Sequence, residues 1–133
     1  MGGYGSPIIS YYGPTDPEYL TIIKQLESLN FKYNPTLAEE IISKSLIERG
    51  AVKIDDEWVF ENNEIEIIIF IRSDDPVRKS IGEILSAELE NMGFTVKKEY
   101  GDLNKAFVVV YGSNPADSKW NIYTEGWGRS AFV

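Results

Sequence analysis

Residues 64–72 read Glu-Ile-Glu-Ile-Ile-Ile-Phe-Ile-Arg. The run alternates at first and is then continuously apolar from Ile67 through Ile71. β-Branched side chains lose rotamer freedom against the preceding turn of a helix but pack well on a pleated strand. Alternation marks a strand with one face in water, and an unbroken apolar run marks one covered on both faces. The strand therefore starts near solvent and ends at the centre of a sheet with a layer on each side. That requirement points to an α/β architecture.

The next thirty residues support it. Asp75-Pro76 is a helix start: the carboxylate accepts from free N–H groups of the first turn, and proline needs no donor there. Val77, Ile81, Ile84, Leu85 and Leu89 form the apolar stripe of this helix, with Met92 at its end and Gly93 as its stop. Residues 94–100 then give a second strand. A strand, a helix and a strand in this order call for a right-handed parallel crossover. Residues 103–111 fit two patterns. Phe107-Val108-Val109-Val110-Tyr111 has strand propensity, yet Leu103, Ala106, Phe107, Val110 and Tyr111 fall on one helical face. Periodicity leaves the two readings balanced. A helix would make the unit βαβαβ, with residues 120–125 as a third parallel strand. The mostly parallel sheet would then have the order 2-1-3, with the isoleucine run in the middle.

The Asx-Pro signal occurs four times, at Asp16-Pro17, Asn34-Pro35, Asp75-Pro76 and Asn114-Pro115. The first predicts a helix over residues 17–29 with Leu20, Ile23, Leu26 and Leu29 inward. The second predicts one over residues 35–49 with Leu37, Ile41, Ile42, Leu46 and Ile47 inward, stopped by Gly50. The fourth, in a short polar segment, predicts a turn. Residues 51–54 and 58–61 flank Asp55-Asp56-Glu57 and read as a small hairpin, with Trp58 pinning it to a helix and Asn62-Asn63 turning the chain into the main strand. Residues 1–15, rich in glycine, proline and tyrosine, read as irregular chain. The expected organisation is thus an irregular segment (1–15), two helices (16–50) and an α/β lobe (51–133), treated as one domain over 1–133.

Composition narrows the chemistry. The chain has no histidine and no cysteine, which removes the commonest general base, the commonest metal ligand and any thiolate site. A net charge of −8 argues against nucleic acid and anionic membrane surfaces as partners. No window is long and apolar enough for a membrane span, and no targeting signal is visible in residues 1–14. No cofactor is implied. The expectation is a binding protein and not an enzyme; a hydrolase relying on Asp and Glu alone is the remote alternative.

Two places stand out as candidate sites. Asp74-Asp75, between Arg72 and Arg78, lies at the carboxyl end of a strand, the end that faces ligand in open α/β sheets. Capping accounts for Asp75, and Asp74 is expected to be exposed. The second is the segment Trp120, Tyr123, Glu125, Gly126, Trp127 and Gly128. Aromatics beside glycines at a strand end can offer a ring face to a peptide, a sugar or a cation.

Taken together, Tyr33-Asn34-Pro35, Gly50-Ala51-Val52, Glu57-Trp58, Ile65-Glu66-Ile67, the segment from Arg72-Ser73-Asp74-Asp75-Pro76 to Arg78, Gly82-Glu83, Leu89-Glu90-Asn91-Met92-Gly93-Phe94-Thr95-Val96 and Tyr123-Thr124-Glu125-Gly126-Trp127 resemble the family 5 extracellular solute-binding proteins. These are peptide, nickel and oligosaccharide receptors of ATP-binding-cassette importers. The resemblance covers about residues 31 to 133. It implies an interior piece of a larger cell-surface receptor, one lobe of the type II periplasmic-binding-protein kind, and a helix at residues 103–111. It implies a small solute such as a peptide or oligosaccharide as ligand, held at Trp127 and Tyr123, and a membrane permease as partner of the full receptor. An isolated lobe with exposed apolar surface is also expected to be capable of pairing as a homodimer. A free-standing α/β protein-interaction module is the alternative reading.

Overall fold

A computed structural model describes residues 8–13 and 15–126. They fall in two compact units, one reaching Asn34 and the other starting at Pro35. The first contains α1 (Tyr19–Ser28). It starts later than the Asp-Pro signal predicts, because Asp16 instead accepts from the backbone N–H of Gly13 at 2.7 Å. Ile23 and Leu26 are half-buried, whereas Leu20 and Leu29 are exposed.

The second unit opens with α2 (Pro35–Glu48). The helix ends at Gly50, whose φ of 91° is left-handed, and the Ala51 N–H reaches back to the Leu46 carbonyl at 3.0 Å. An antiparallel meander comes next: β1 (Val52–Ile54), β2 (Glu57–Phe60) and β3 (Asn63–Glu64). Ile54 pairs with Glu57, and Phe60 with Asn63, so both connections are two-residue loops. Asp55, Asp56, Glu61 and Asn62 all have positive φ, as the twist-matched hairpin turn requires. The carboxylates of Asp55 and Asp56 thus belong to a turn, and β3 adds a strand to the expected hairpin.

Trp58 anchors the meander. It is 3% exposed, its indole N–H donates to the Met92 carbonyl at 2.9 Å, and its backbone N–H donates to the Gly93 carbonyl at 2.8 Å. Gly93 has a φ of 97°, and a Cβ there would run into the Asp56 carbonyl oxygen. Ala51, Trp58, Met92 and Phe94 form one buried cluster, against which Ala38, Ile42 and Leu46 of α2 pack. The contacting arc of α2 is therefore narrower than predicted: Leu37, Ile41 and Ile47 are exposed.

The main sheet is parallel: β4 (Glu66–Arg72) lies between β5 (Thr95–Gly101) and β6 (Ile122–Tyr123). Ile69, Phe70 and Ile71 are fully buried, as a strand covered on both faces must be. α3 (Pro76–Asn91) covers one face and is capped by Asp75, whose Oδ1 accepts from the N–H groups of Val77 and Arg78 at 2.9 and 3.1 Å. The other face is covered by α4 (Leu103–Ala106), which widens into a π-helical turn over Phe107–Tyr111. Phe70 packs there with Ala106 and Val110. Residues 103–111 are thus helical, and Asn114-Pro115 starts only a short 3₁₀ turn, Pro115–Asp117.

One expectation fails on α3. Its sheet-facing arc is led by Gly82 and Ser86, with Leu85 and Leu89 half-buried, while Val77, Ile81 and Ile84 are 66%, 50% and 61% exposed. A Cβ on Gly82 would lie 2.7 Å from Ile71 Cγ1. Small residues let the helix axis approach the isoleucines, a fit that hydrophobic periodicity does not register. Among the described residues no helix is long and apolar enough to cross a membrane.

Candidate functional site

The carboxyl ends of β4, β5 and β6 bring together groups far apart in sequence. Side chains alternate along β4, so Arg72 shares the face of Phe70 and points toward the α4 side. It is only 7% exposed. Its Nε donates to Asp74 Oδ1 at 2.6 Å and its Nη2 to Asp74 Oδ2 at 2.8 Å. This is the parallel two-bond fork that a planar guanidinium makes with a carboxylate. The remaining arm, Nη1, donates to the Tyr123 hydroxyl at 3.2 Å. The hydrogen bonds from Arg72 hold the Asp74 carboxyl down at about 2, and those to Asp74 and then Tyr123 push the guanidinium up. Asp74 is exposed, as expected, and in addition anchors a buried cation.

β6 is fixed to β4 at the same end. The Thr124 N–H donates to the Phe70 carbonyl at 3.2 Å, and the Arg72 N–H donates to Thr124 Oγ1 at 3.0 Å. Lower in the sheet, Asn121 closes a two-way bridge to Ile68, accepting at Oδ1 (2.7 Å) and donating through its N–H (2.8 Å). A strand of two residues is thus held by side chains as well as by its ladder.

Tyr123 is half-buried, edge-on to Phe70 at 5.8 Å between ring centroids and perpendicular to Tyr111 at 6.0 Å. The hydroxyl of Tyr111 donates to Glu125 Oε2, and that bond pushes the phenol up to about 12. The result is an aromatic corner of two tyrosines, flanked by the buried Arg72 and the exposed Glu125. Tyr123 stands where the sequence placed it. Trp127, the other predicted ligand-binding residue, lies outside the described residues. The sequence reading placed Arg72 beside Asp74-Asp75 but did not join it to Tyr123, and Tyr111 escaped the reading of the site. The signal for Arg72 was its position: a charge ending a run covered on both faces, two residues before an acid.

A hollow of about 380 Å³ lies elsewhere, over Ile68, Phe70 and Val109. Its charges are all engaged in ion pairs: Lys97 and Lys105 both pair with Glu99, at 3.3 and 3.7 Å, and Lys119 with Asp117 at 3.8 Å. It is the weaker candidate. No group of three or more His, Cys, Asp or Glu residues that could hold a metal ion occurs among the described residues. The strand-end arrangement can offer ring faces, hydrogen bonds and opposite charges to a small solute.

The model of the bacterial extracellular solute-binding proteins, family 5 Middle, matches residues 1–132. Among solved structures, NikZ from Campylobacter jejuni, in complex with Ni(L-His), is similar with a TM-score of 0.50 and 26% sequence identity. The similarity covers 60% of this chain and 16% of NikZ, so the chain spans a small part of that protein's length. No curated protein sequence matches.

Proposed function

The chain belongs to the family 5 bacterial extracellular solute-binding proteins, and we propose that it is one lobe of a cell-surface receptor that captures a small solute and delivers it to the permease of an ATP-binding-cassette importer. Capture works by closure of this lobe and a second one around the solute, burying it against aromatic faces and fixed donors without breaking a bond. The observation that carries this reading is the aromatic corner of Tyr123 and Tyr111 at the carboxyl ends of parallel strands, where open α/β sheets bind their ligands.

Tyr123 and Trp127 are the residues assigned to the ligand. Tyr123 is held in place from behind, its hydroxyl by Arg72 and its ring edge by Phe70. A rigid ring loses little freedom on binding, which favours affinity. The solute is assigned as a peptide or oligosaccharide. NikZ was solved with a nickel–amino acid complex, so such a chelate belongs among the compounds to titrate.

The test is calorimetric titration of the receptor-length protein with a tripeptide, a trisaccharide and Ni(L-His). Saturable binding of one of them is expected, weakened about tenfold or more by Tyr123→Ala, the scale of a ring contact. Absence of heat with all three, or a Tyr123→Ala protein that binds as tightly as wild type, refutes the reading.

A second reading, a free-standing interaction module, draws support from the exposed stripe of Val77, Ile81 and Ile84 on α3. An isolated receptor lobe can also pair through such a stripe, so the solute titration separates the two: saturable binding favours the receptor, and its absence in a protein that still captures a partner through α3 favours the module.

A further inference from the structure

Arg78 is half-buried and does more than extend the cap of α3. Its backbone N–H donates to Asp75 Oδ1 at 3.1 Å, and its Nε lies 3.3 Å from Asp75 Oδ2, so one carboxylate fixes both ends of the residue. The guanidinium so held lies directly over Gly126. A Cβ on Gly126 would stand 2.7 Å from Arg78 Cζ and 2.9 Å from Nε, and closer still to Nη2. No side chain fits there while Arg78 stays in place. The flat cation therefore rests on the backbone of the segment leaving β6. Thr124, two residues earlier, is tied to β4 through Phe70 and Arg72.

We propose that Arg78 is a positioning residue: anchored by Asp75, it clamps the segment 124–126 against the start of α3 and so sets where the aromatic chain beyond β6 begins. This joins two features that look unrelated in the sequence, the Asp-Pro cap and the glycine before the terminal aromatics. The consequence for ligand rests on the receptor reading, since the clamped segment leads from Tyr123 toward Trp127. Arginine suits the task because its guanidinium is a broad, rigid plane that can pair with Asp75 and still cover the backbone, which a compact ammonium cannot do.

The experiment is amide hydrogen exchange, measured residue by residue by NMR on the full chain. Thr124 and Glu125 report the clamped segment, and Ile69 and Ile71 report β4. With Arg78→Ala, exchange at Thr124 and Glu125 is expected to rise about tenfold while β4 keeps its rates, the signature of a local opening. Gly126→Ala is expected to give the same pattern in the native background and nothing further in the Arg78→Ala background, because both changes break one contact. Asp75→Asn keeps the capping oxygen but loses the charge, and is expected to give a smaller rise.

Native rates in Arg78→Ala, an equal rise across β4, or full additivity of the two substitutions would overturn the proposal. Should Arg78→Ala not fold, Arg78→Lys retains the charge and the stem but not the flat face; native rates at Thr124 in that variant overturn the proposal equally. No solute enters this experiment. Failure here leaves the receptor reading standing, whereas a firmly clamped segment in a receptor that binds no solute defeats that reading alone.

Discussion

Both carboxylate oxygens of Asp74 accept from the guanidinium of Arg72, at 2.6 Å and 2.8 Å, at the end of the central strand. The pair leaves Arg72 satisfied although it is 7% exposed, and it aims the third arm at Tyr123. A charge in that position without a partner would be costly.

The pair makes stability depend on acid. The folded Asp74 carboxyl sits at about 2, below the value of about 4 of an unfolded chain. A depressed carboxyl stabilises the fold above its unfolded value, and that contribution disappears as pH falls through the folded one. Denaturant titrations of wild type and Asp74→Asn are therefore expected to differ at neutral pH and to converge between about pH 4 and pH 2. A gap that stays constant through that window contradicts the assignment.

Trp58 joins the meander to the end of α3 through an indole hydrogen bond and a buried ring. Trp58→Ala is expected to lose about 3–5 kcal/mol, the usual range for removing a buried tryptophan. Trp58→Phe keeps most of the apolar volume but leaves the Met92 carbonyl without its donor, at a cost of about 1–3 kcal/mol. Urea unfolding of the two variants measures both, and equal losses would mean that the hydrogen bond, not the ring, holds the meander.

Gly82 brings α3 onto Ile71. Gly82→Ala adds a methyl where Ile71 side-chain atoms would stand at 2.7–2.9 Å, so overpacking of about 1–3 kcal/mol is expected despite the better helix propensity of alanine. Ile71→Ala removes all three of those carbons, so it is expected to cost less in the Gly82→Ala protein than in wild type. Additive destabilisation in the double variant, read from thermal melts, would show that the two do not meet.

Asp56 occupies a left-handed conformation, with a φ of 67° in the β1–β2 turn. Asp56→Gly removes the Cβ strain and is expected to stabilise the protein by about 0.5–1 kcal/mol, since Asp-Gly is a favoured pair for this turn. Chemical denaturation checks the sign, and a loss of stability would reveal that the Asp56 side chain has a role beyond the turn.

Much of this architecture is written locally. The unbroken run through Ile71 marks a strand buried on both faces, and Asp75-Pro76 with Gly93 marks both ends of α3. Capping and stop signals act within a turn of the backbone, so they survive in sequence. The apolar stripes are harder. Val77, Ile81 and Ile84 have helical spacing, yet the sheet meets Gly82 and Ser86 instead. A periodic pattern shows that a face is apolar, not which partner it meets. The site is half legible: composition and position point to Tyr123, and a charge ending the apolar run two residues before an acid is the one local signal for the Arg72–Asp74 pair, whereas nothing local joins that pair to Tyr123.

By itself the sequence determined the element types, the parallel βαβ crossover and the exclusion of histidine and cysteine chemistry, because propensity, periodicity and composition are properties of short stretches. Residues 103–111 marked the limit of periodicity, which served strand and helix equally; the family resemblance implied the helix, and its Ala106 and Val110 pack on Phe70. Only the tertiary structure decided that Arg72, Asp74, Tyr111 and Tyr123 share one strand end, and that Arg78 lies over Gly126. Those contacts close long loops, and they exist only once the sheet has fixed which side chains point the same way.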